Sequence, residues 1–249
     1  MDIRTDTTSH GVREQVGTIV GSHGVVPLAL WSPEGVISNR LIMIGHGASG
    51  HKMEEYVLAT ARRFVRKYAC AVVAIDGPVH GDRIGGSYDT ATNFLQFGQR
   101  WSSDPTVTDV MASDWSNTLD AVLTSGVVTS DAKVAYWGLS MGTILGLPFV
   151  VSEPRIEAAV LGLMGTIGPT KQRLSDDAQR LNVPVLFLVQ WDDELIEREQ
   201  ALNLFTLIGS SDKTLLATPG THTQVTAENF HRTVDFLIDR LAKTVEVAK

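Results

Sequence analysis

Residues 134–152 read V-A-Y-W-G-L-S-M-G-T-I-L-G-L-P-F-V-V-S and give the strongest indication of the architecture. The stretch carries no formal charge and is long enough to raise the question of a membrane span. Three glycines, two serines, a threonine and Pro148 interrupt the apolar residues, however. This composition favours a buried strand, a sharp turn and a buried helix. We expect the strand to end near Trp137 and the helix to run from Ser140 to about Val151.

The turn between these two elements reads Gly138-Leu139-Ser140-Met141-Gly142. A serine nucleophile requires a strand–turn–helix of this kind, because the tight turn raises Oγ above the sheet edge and points the helix N-terminus at it. Glycines are needed on either side, since side chains there would collide with the neighbouring strand or helix. The motif alone is also compatible with a glycine-rich structural turn, because glycine and serine are common residues.

Two later segments offer the groups that a serine nucleophile needs, a base and a carboxylate that orients the base. The strand P-V-L-F-L-V-Q is followed by three consecutive acids, Asp192, Asp193 and Glu194. The next strand is followed by His222, just before the final helix. The order along the chain is therefore serine, acid, histidine, which distinguishes one hydrolase architecture from the other serine-enzyme folds. We interpret Ser140 as a nucleophile and His222 as its base, with three candidates for the acid.

A third segment, Gly45-His46-Gly47-Ala48-Ser49-Gly50, follows a strand at 40–45. Such a loop can point a backbone N–H at the substrate oxygen, and the N–H of Met141 would be the second donor of an oxyanion hole. We expect His46 to fix this loop by a side-chain hydrogen bond, since His222 already fills the role of base.

The rest of the chain alternates short apolar runs with amphipathic segments. This pattern predicts a single α/β domain over residues 1–249, with a mostly parallel eight-stranded sheet, an antiparallel N-terminal hairpin and helices on both faces. Residues 1–12 are predicted to be a loose N-terminal arm. No large cap domain is expected. The strands are predicted at 15–21, 25–32, 40–45, 69–76, up to Trp137, and at 156–163, 184–190 and 213–217. The helices are predicted at 52–68, from Asp104 and Pro105 onward, and at 140–151, 171–182, 197–209 and 226–243.

Residues 77–104 are glycine-rich and polar, and we predict a long functional loop there. Its aromatic side chains Phe94, Phe97 and Trp101, together with Trp191, are candidates to bind substrate in an apolar pocket. The alternative is that these aromatic residues only pack in the interior.

His80, Asp82 and Arg83 lie in the same stretch and could be interpreted as a metal or anion site. One histidine and one aspartate without a third ligand make a weak metal site, so we predict no metal here. A structural Asp82–Arg83 pair or turn is the preferred interpretation.

Composition limits the class of protein. A chain of 249 residues with 43% hydrophobic and 20% charged residues is typical of a globular protein. Its net charge of −7 argues against a nucleic-acid binder. A single cysteine, Cys70, excludes an internal disulfide and a thiolate metal cluster. The polar start M-D-I-R-T-D-T-T-S-H lacks an apolar signal core, so a cytoplasmic location is expected unless a signal was removed. The oligomeric state stays open, with a homodimer as one option.

Together these segments resemble the α/β-hydrolase family, and within it the dienelactone hydrolase-like and small serine esterase branch. The resemblance runs from about residue 15 to the C-terminus. It rests on H-G-A at 46–48, D-G-P-V-H-G-D-R at 76–83, the G-L-S-M-G turn, W-D-D-E-L at 191–195 and P-G-T-H at 219–222. It implies that Ser140 is the nucleophile, Asp193 the acid and His222 the base. It also implies that the N–H groups of Ala48 and Met141 form the oxyanion hole.

The chain departs from its relatives at three positions. Dienelactone hydrolases proper carry a cysteine in place of Ser140, and many relatives have glycine at Gln190 and proline at Glu197. The resemblance implies a hydrolase of carboxylic esters, which acts through an acyl-enzyme and needs no cofactor. Small to medium acyl chains are expected, since the link from the strand at 156–163 to that at 184–190 holds only about one helix and no large cap domain. A thioesterase, amidase or peptidase with the same residues is an alternative, as is a non-catalytic binding protein on this scaffold. Asp192 is expected to accept backbone N–H groups of its own turn.

Overall fold

The computed structural model describes residues 1–85 and 89–242. Its strands are β1 (Asp2–Ser9), β2 (Val12–Gly21), β3 (Gly24–Pro33), β4 (Ser38–Gly45), β5 (Ala71–Ile75), β6 (Val128–Gly138), β7 (Ile156–Gly162), β8 (Val185–Gln190) and β9 (Lys213–Thr218). They form one sheet in the order β1-β2-β3-β5-β4-β6-β7-β8-β9. The pairs β1–β2, β2–β3 and β3–β5 are antiparallel. All pairs from β5 through β4 to β9 are parallel.

Helices cover both faces of the sheet. They are α1 (Glu55–Tyr68), α2 (Thr90–Ser103), α3 (Val107–Leu123), α4 (Met141–Ser152), α5 (Lys171–Arg180), α6 (Arg198–Leu207) and α7 (Ala227–Ala242). α1 and α7 pack on one face, where Phe64 and Leu237 join a buried apolar cluster. α3 to α6 pack on the other face, where Trp115 and Leu204 belong to a second cluster. The central strands carry unbroken apolar runs, such as residues 41–44 in β4 and Ala71–Ile75 in β5, where both of their faces are buried.

The N-terminal segment differs from the prediction of a loose arm. Residues Asp2–Ser9 form β1, an edge strand that pairs with β2 from Asp2 opposite Thr18 to Ser9 opposite Val12. Almost all of its side chains are exposed. β1 is therefore held by backbone hydrogen bonds and leaves no hydrophobic pattern in the sequence. The sheet has nine strands in the described residues because this strand adds to the eight that were predicted.

The prediction of a long loop at 77–104 is also wrong. A short 3-10 helix occupies Gly81–Ile84, and α2 fills most of the second half of the stretch. Asp89 caps α2 by accepting a hydrogen bond from the N–H of Thr92, at 3.0 Å. Helix α2 buries only Asn93 and Phe97, so most of its side chains stay at least partly exposed. Part of the predicted loop, residues 86–88, lies outside the described residues.

The parallel strands position the site. The carboxyl ends of β4, β6, β8 and β9 lie at the same edge of the sheet, where ligands of open α/β sheets bind. The segments that leave these four ends carry Ala48, Ser140, Asp193 and His222. Among the described helices none is long and apolar enough to cross a membrane.

Candidate active site

Ser140 lies in a strained turn between β6 and α4. Its backbone has φ 57° and ψ −119°, a conformation that L-residues rarely adopt. The turn is tight enough that a side chain on Gly142 would place its Cβ 2.6 Å from the carbonyl oxygen of Gly45, on the neighbouring strand. The Ser140 N–H donates to the carbonyl oxygen of Gly162 at 2.9 Å, which ties the turn to β7. A side chain at Gly142 would thus collide with the adjacent strand, which is the predicted reason for a glycine at this position.

A continuous hydrogen-bonded chain joins Ser140, His222 and Asp193. The Oγ of Ser140 lies 2.9 Å from Nε2 of His222, and Nδ1 of His222 lies 2.8 Å from Oδ2 of Asp193. A carboxylate can only accept, so Nδ1 carries the proton and Nε2 is free to accept from the serine hydroxyl. The three residues come from three loops at one edge of the sheet, and the structure brings them together in the order that the sequence predicted.

Asp193 is held rigidly by further hydrogen bonds. Its other oxygen, Oδ1, accepts from the backbone N–H groups of Leu195 and Ile196 at 2.8 and 2.9 Å. Burial opposes the charge on this carboxylate. The hydrogen bonds from His222 and from the two amides nevertheless hold the pKa of Asp193 below its usual value. The carboxylate therefore stays ionised and keeps the imidazole in one orientation.

The two neighbouring acids contact the histidine loop instead. Glu194 accepts a hydrogen bond from the backbone N–H of His222 at 2.9 Å, which lowers the pKa of Glu194. Asp192 was expected to accept amides of its own turn, but it accepts from the backbone N–H of Gly220 on the histidine loop, at 3.4 Å. All three acids thus face the loop that carries His222, and Asp193 alone reaches the ring.

Gln190 is a residue whose contribution the sequence did not predict. Its side chain is buried at the end of β8, where its Nε2 donates to the carbonyl oxygen of Thr221 at 3.2 Å. Its Oε1 accepts from the hydroxyl of Thr218 at 2.6 Å, and that hydroxyl accepts from Asn229 at 3.0 Å. The glycine found here in many relatives could make neither bond. Gln190 thereby braces the loop that presents His222, and its departure from that glycine was the available signal.

The loop after β4 is fixed by the buried side chain of His46 and the partly buried side chain of Tyr56. The N–H of Gly77 donates to Nε2 of His46 at 2.8 Å, so Nδ1 carries the proton and donates to the carbonyl oxygen of Gly47, also at 2.8 Å. Burial, with a smaller effect of nearby His80, lowers the pKa of His46 to about 3. The hydroxyl of Tyr56 accepts from the N–H of Gly47 at 2.6 Å. The predicted structural role of His46 is confirmed by these contacts.

The two predicted oxyanion donors lie on either side of Ser140. Ala48 belongs to the loop after β4 and lines the same cavity as Ser140, while Met141 is the first residue of α4. Within residues 1–85 and 89–242, neither backbone N–H is committed to a protein acceptor. Both are therefore available to an oxygen of a ligand.

The segment 76–83 packs against the loop after β4, where His80 contacts the carbonyl oxygen of Ala48 at 2.8 Å. The buried Asp76 accepts from the ammonium of Lys52 at 2.6 Å and from the N–H of Asp82 at 2.9 Å.

The predicted Asp82–Arg83 pair is not formed. Asp82 lies 2.5 Å from Arg4 and 3.1 Å from Lys52, and Arg83 pairs with Asp114 at 2.6 Å. The turn itself is present as the 3-10 helix Gly81–Ile84, in which successive side chains diverge by about a third of a turn, and each of the two finds a partner elsewhere. Within the described ranges no cluster of three or more His, Cys, Asp or Glu side chains is placed to hold a metal.

A cavity of about 350 Å³ opens above Ser140 and is walled mainly by apolar side chains. The described residues that line it are Gly47, Ala48, Ser49, Glu54, Tyr56, Thr90, Phe94, Trp137, Leu139, Ser140, Leu163, Leu195, His222, Thr223, Val225 and Phe230.

Three of the four substrate-binding candidates proposed from the sequence, Phe97, Trp101 and Trp191, are absent from this lining. Phe97 is buried and stacks on Trp101, whose indole N–H donates to the hydroxyl of Thr170 at 2.8 Å. Trp191 is 40% exposed and lies under the guanidinium of Arg198. These aromatic residues pack or stack elsewhere because the helical conformation of α2 turns Phe97 and Trp101 away from the cavity. Phe94, on the same helix, faces the cavity.

Comparisons with known proteins identify the class. No protein-family model matches the chain, and no curated protein is significantly similar to it. A solved structure of a cold-adapted esterase from an Arctic intertidal metagenomic library, bound to polyethylene glycol, shares 35% sequence identity. It covers 95% of this chain and 97% of its own, with a TM-score of 0.85.

Two more distant structures share the fold. A protein of Klebsiella pneumoniae assigned as a dienelactone hydrolase is 15% identical, with a TM-score of 0.74 over 94% of this chain and 99% of its own. Acetyl xylan esterase 1 from Thermoanaerobacterium sp. is 14% identical, with a TM-score of 0.68 over 96% of this chain and 86% of its own.

The sheet order, the turn at Ser140 and these similarities define the class of protein. The chain belongs to the α/β-hydrolase superfamily. Its structural neighbours are esterases and dienelactone hydrolase-like proteins, and within the superfamily it is a hydrolase that acts on esters.

Proposed function

We propose that this protein is a serine hydrolase that cleaves carboxylic esters of small to medium acyl chain, with Ser140, His222 and Asp193 as its catalytic residues. The observation that carries the proposal is the hydrogen-bonded chain from the Oγ of Ser140 through His222 to Asp193, with both distances below 3 Å. In this arrangement His222 takes the proton of the serine hydroxyl as Oγ attacks the ester carbonyl carbon. Asp193 stabilises the imidazolium that forms.

The oxyanion of the tetrahedral intermediate would accept hydrogen bonds from the N–H groups of Ala48 and Met141. Both groups are without a protein acceptor in the part of the chain described, and α4 adds the positive end of its dipole. When the intermediate collapses, His222 gives its proton to the leaving alcohol and the acyl group stays on Ser140. His222 then takes a proton from water, whose oxygen attacks the acyl carbon. The acid leaves, and the proton returns to Oγ.

The size and chemistry of the cavity support the substrate class. A cavity of about 350 Å³ matches the lower range of small-molecule sites and holds an acyl chain of several carbons. Its walls are largely apolar, so binding is driven by removing the apolar part of the ester from water. No step of this mechanism requires a metal or an organic cofactor.

Labelling with a fluorophosphonate probe tests the proposal. We expect stoichiometric labelling of the wild-type protein at Ser140, located by peptide mass, and none in Ser140→Ala. The matched control is Ser175→Ala, which removes a partly exposed hydroxyl on α5, outside the cavity lining, and should label like wild type. p-Nitrophenyl esters of two to ten acyl carbons, with a thioester and an anilide of the best acyl group, then define the substrate. No labelling of correctly folded wild type would overturn the proposal, and a clear preference for the thioester or anilide would change the substrate class.

A further inference from the structure

We propose that Glu54 and the aromatic side chains near it form a subsite for a positively charged substrate group, with a quaternary ammonium as its best occupant. Since Ser140 lines the same cavity, this inference rests on the proposed function and names the substrate class of that site. The ester would carry its cation a few carbons from the reacting carbonyl.

The carboxylate of Glu54 is available to a ligand. Glu54 occupies the N-cap position of α1, yet its side chain makes no capping hydrogen bond to the helix. Its side chain is 38% exposed, and the ring of His51 lies near it, with Nε2 3.8 Å from Oε2. A glutamate that does not cap its own helix has its charge directed elsewhere, and here the residue lines the cavity above Ser140.

The charge of Glu54 is not neutralised by the described walls of the cavity. Neither lysine nor arginine is among the described lining residues, and Glu54 is their one carboxylate. Walls of low dielectric strengthen the interaction between this carboxylate and any charge that enters. A substrate anion would therefore be repelled, and a substrate cation would be attracted.

Aromatic side chains supply the second recognition element. Tyr56, Phe94 and Phe230 line the cavity, and the rings of Tyr56 and Phe230 lie 6.1 Å apart. Aromatic faces attract cations through the ring quadrupole, and quaternary ammonium groups are the ligands most suited to such surroundings. A primary ammonium would need hydrogen-bond acceptors for three N–H groups, which apolar walls do not offer. A trimethylammonium group has no N–H donor and presents methyl groups to the rings.

Two esters of equal shape measure the charge preference. p-Nitrophenyl 4-(trimethylammonio)butanoate carries the cation, and p-nitrophenyl 5,5-dimethylhexanoate replaces the nitrogen by carbon. We expect the ratio of kcat/KM for the cationic ester to that for the neutral ester to fall about tenfold in Glu54→Gln. The intrinsic reactivities of the esters cancel when the same ratio is compared between proteins. Glu55→Gln is the matched control, since Glu55 is exposed and outside the cavity lining, and its ratio should equal that of wild type.

Binding of n-butyltrimethylammonium chloride, followed by calorimetry at low salt, tests the subsite without catalysis. Wild type and Glu55→Gln should bind it equally, and Glu54→Gln and Phe94→Leu should bind it several-fold more weakly. Equal binding by wild type and Glu54→Gln, or an unchanged kcat/KM ratio, would overturn the cation subsite. Failure of wild type to hydrolyse either ester would instead count against the proposed function, and the calorimetric result would still decide on the subsite.

Discussion

Oδ2 of Asp193 lies 2.8 Å from Nδ1 of His222, although Asp193 is the middle one of three consecutive acids. The turn after β8 separates the three side chains, because successive residues in an extended or turn segment point in different directions. One carboxylate reaches the ring and another, Glu194, reaches the backbone N–H of the same residue. Three consecutive residues could supply the carboxylate that orients the imidazole. Asp193 does so because its side chain is the one that points at the ring.

Removing the charge of Asp193 should be far more harmful than removing that of Asp192. Asp193→Asn would place an amide opposite Nδ1 and favour the wrong tautomer of His222, so kcat should fall by about 10⁴-fold, as when this role is lost in a serine protease. Asp192 is exposed and does not contact the ring, so Asp192→Asn is the matched control and should cost less than tenfold. Steady-state kinetics on one ester compares them, and the reverse ranking would contradict the assignment of Asp193.

Because the backbone at Ser140 is strained, the stability of inactive variants should depend on which residue replaces the serine. Ser140→Gly and Ser140→Ala both remove Oγ and should both abolish ester turnover. Only glycine tolerates φ 57° with ψ −119° without strain, so Ser140→Gly should be more stable than Ser140→Ala by about 1 kcal/mol. Urea unfolding of the two variants measures the difference. If Ser140→Ala is instead the more stable variant by about 0.4–1 kcal/mol, the ordinary effect of glycine on the unfolded chain, the turn stores no strain at this residue.

Truncating Phe94 and truncating Trp101, both on α2, should have different effects, because Phe94 lines the cavity and Trp101 packs against other side chains. Phe94 is 46% exposed and lines the cavity, so Phe94→Ala should lower kcat/KM for longer acyl chains with little loss of stability. Trp101 packs on Phe97 and donates to Thr170, so Trp101→Ala should cost about 2–4 kcal/mol and leave the chain-length profile unchanged. A p-nitrophenyl ester series and urea unfolding give both readouts. A shifted profile in Trp101→Ala would restore that residue as a substrate contact.

Buried His46 should make the protein less stable in mild acid. Burial lowers its pKa to about 3 from an ordinary 6.5, so between these values the unfolded chain binds the proton and the folded protein does not. The free energy of unfolding must then fall as the pH falls below 6.5, by at most about 1.4 kcal/mol per pH unit from this residue.

The comparison variant for this effect is His46→Gln, which removes the titrating group. Other groups contribute to acid sensitivity, so the informative quantity is the difference between the two proteins. Urea unfolding at pH 8 and pH 5 should show a smaller loss of stability in the variant than in wild type. The same loss in both would mean that His46 is protonated in the folded protein.

Features that depend on residues close together in the chain could be predicted from the sequence alone. The turn at Ser140 is recognisable because its flanking glycines answer a steric requirement, and the central strands because burial on both faces demands unbroken apolar runs. The order of Ser140, the acids and His222 along the chain followed from the motifs at strand ends. Their meeting within hydrogen-bond distance then follows from parallel strands that end at one edge of the sheet.

Only the tertiary structure decided which side chains face the site. β1 is held by backbone pairing to β2 and buries almost nothing, so no hydrophobic pattern marks it. Whether Phe94 or Trp101 lines the cavity depends on how α2 is rotated against segments distant in sequence, such as the one that carries Thr170. Gln190 acquires its role from the end of β9 and the loop after it, through its bonds to Thr218 and to the carbonyl oxygen of Thr221, 28 and 31 residues later. Contacts of this kind join segments distant in sequence, and they exist only once the sheet has brought those segments together.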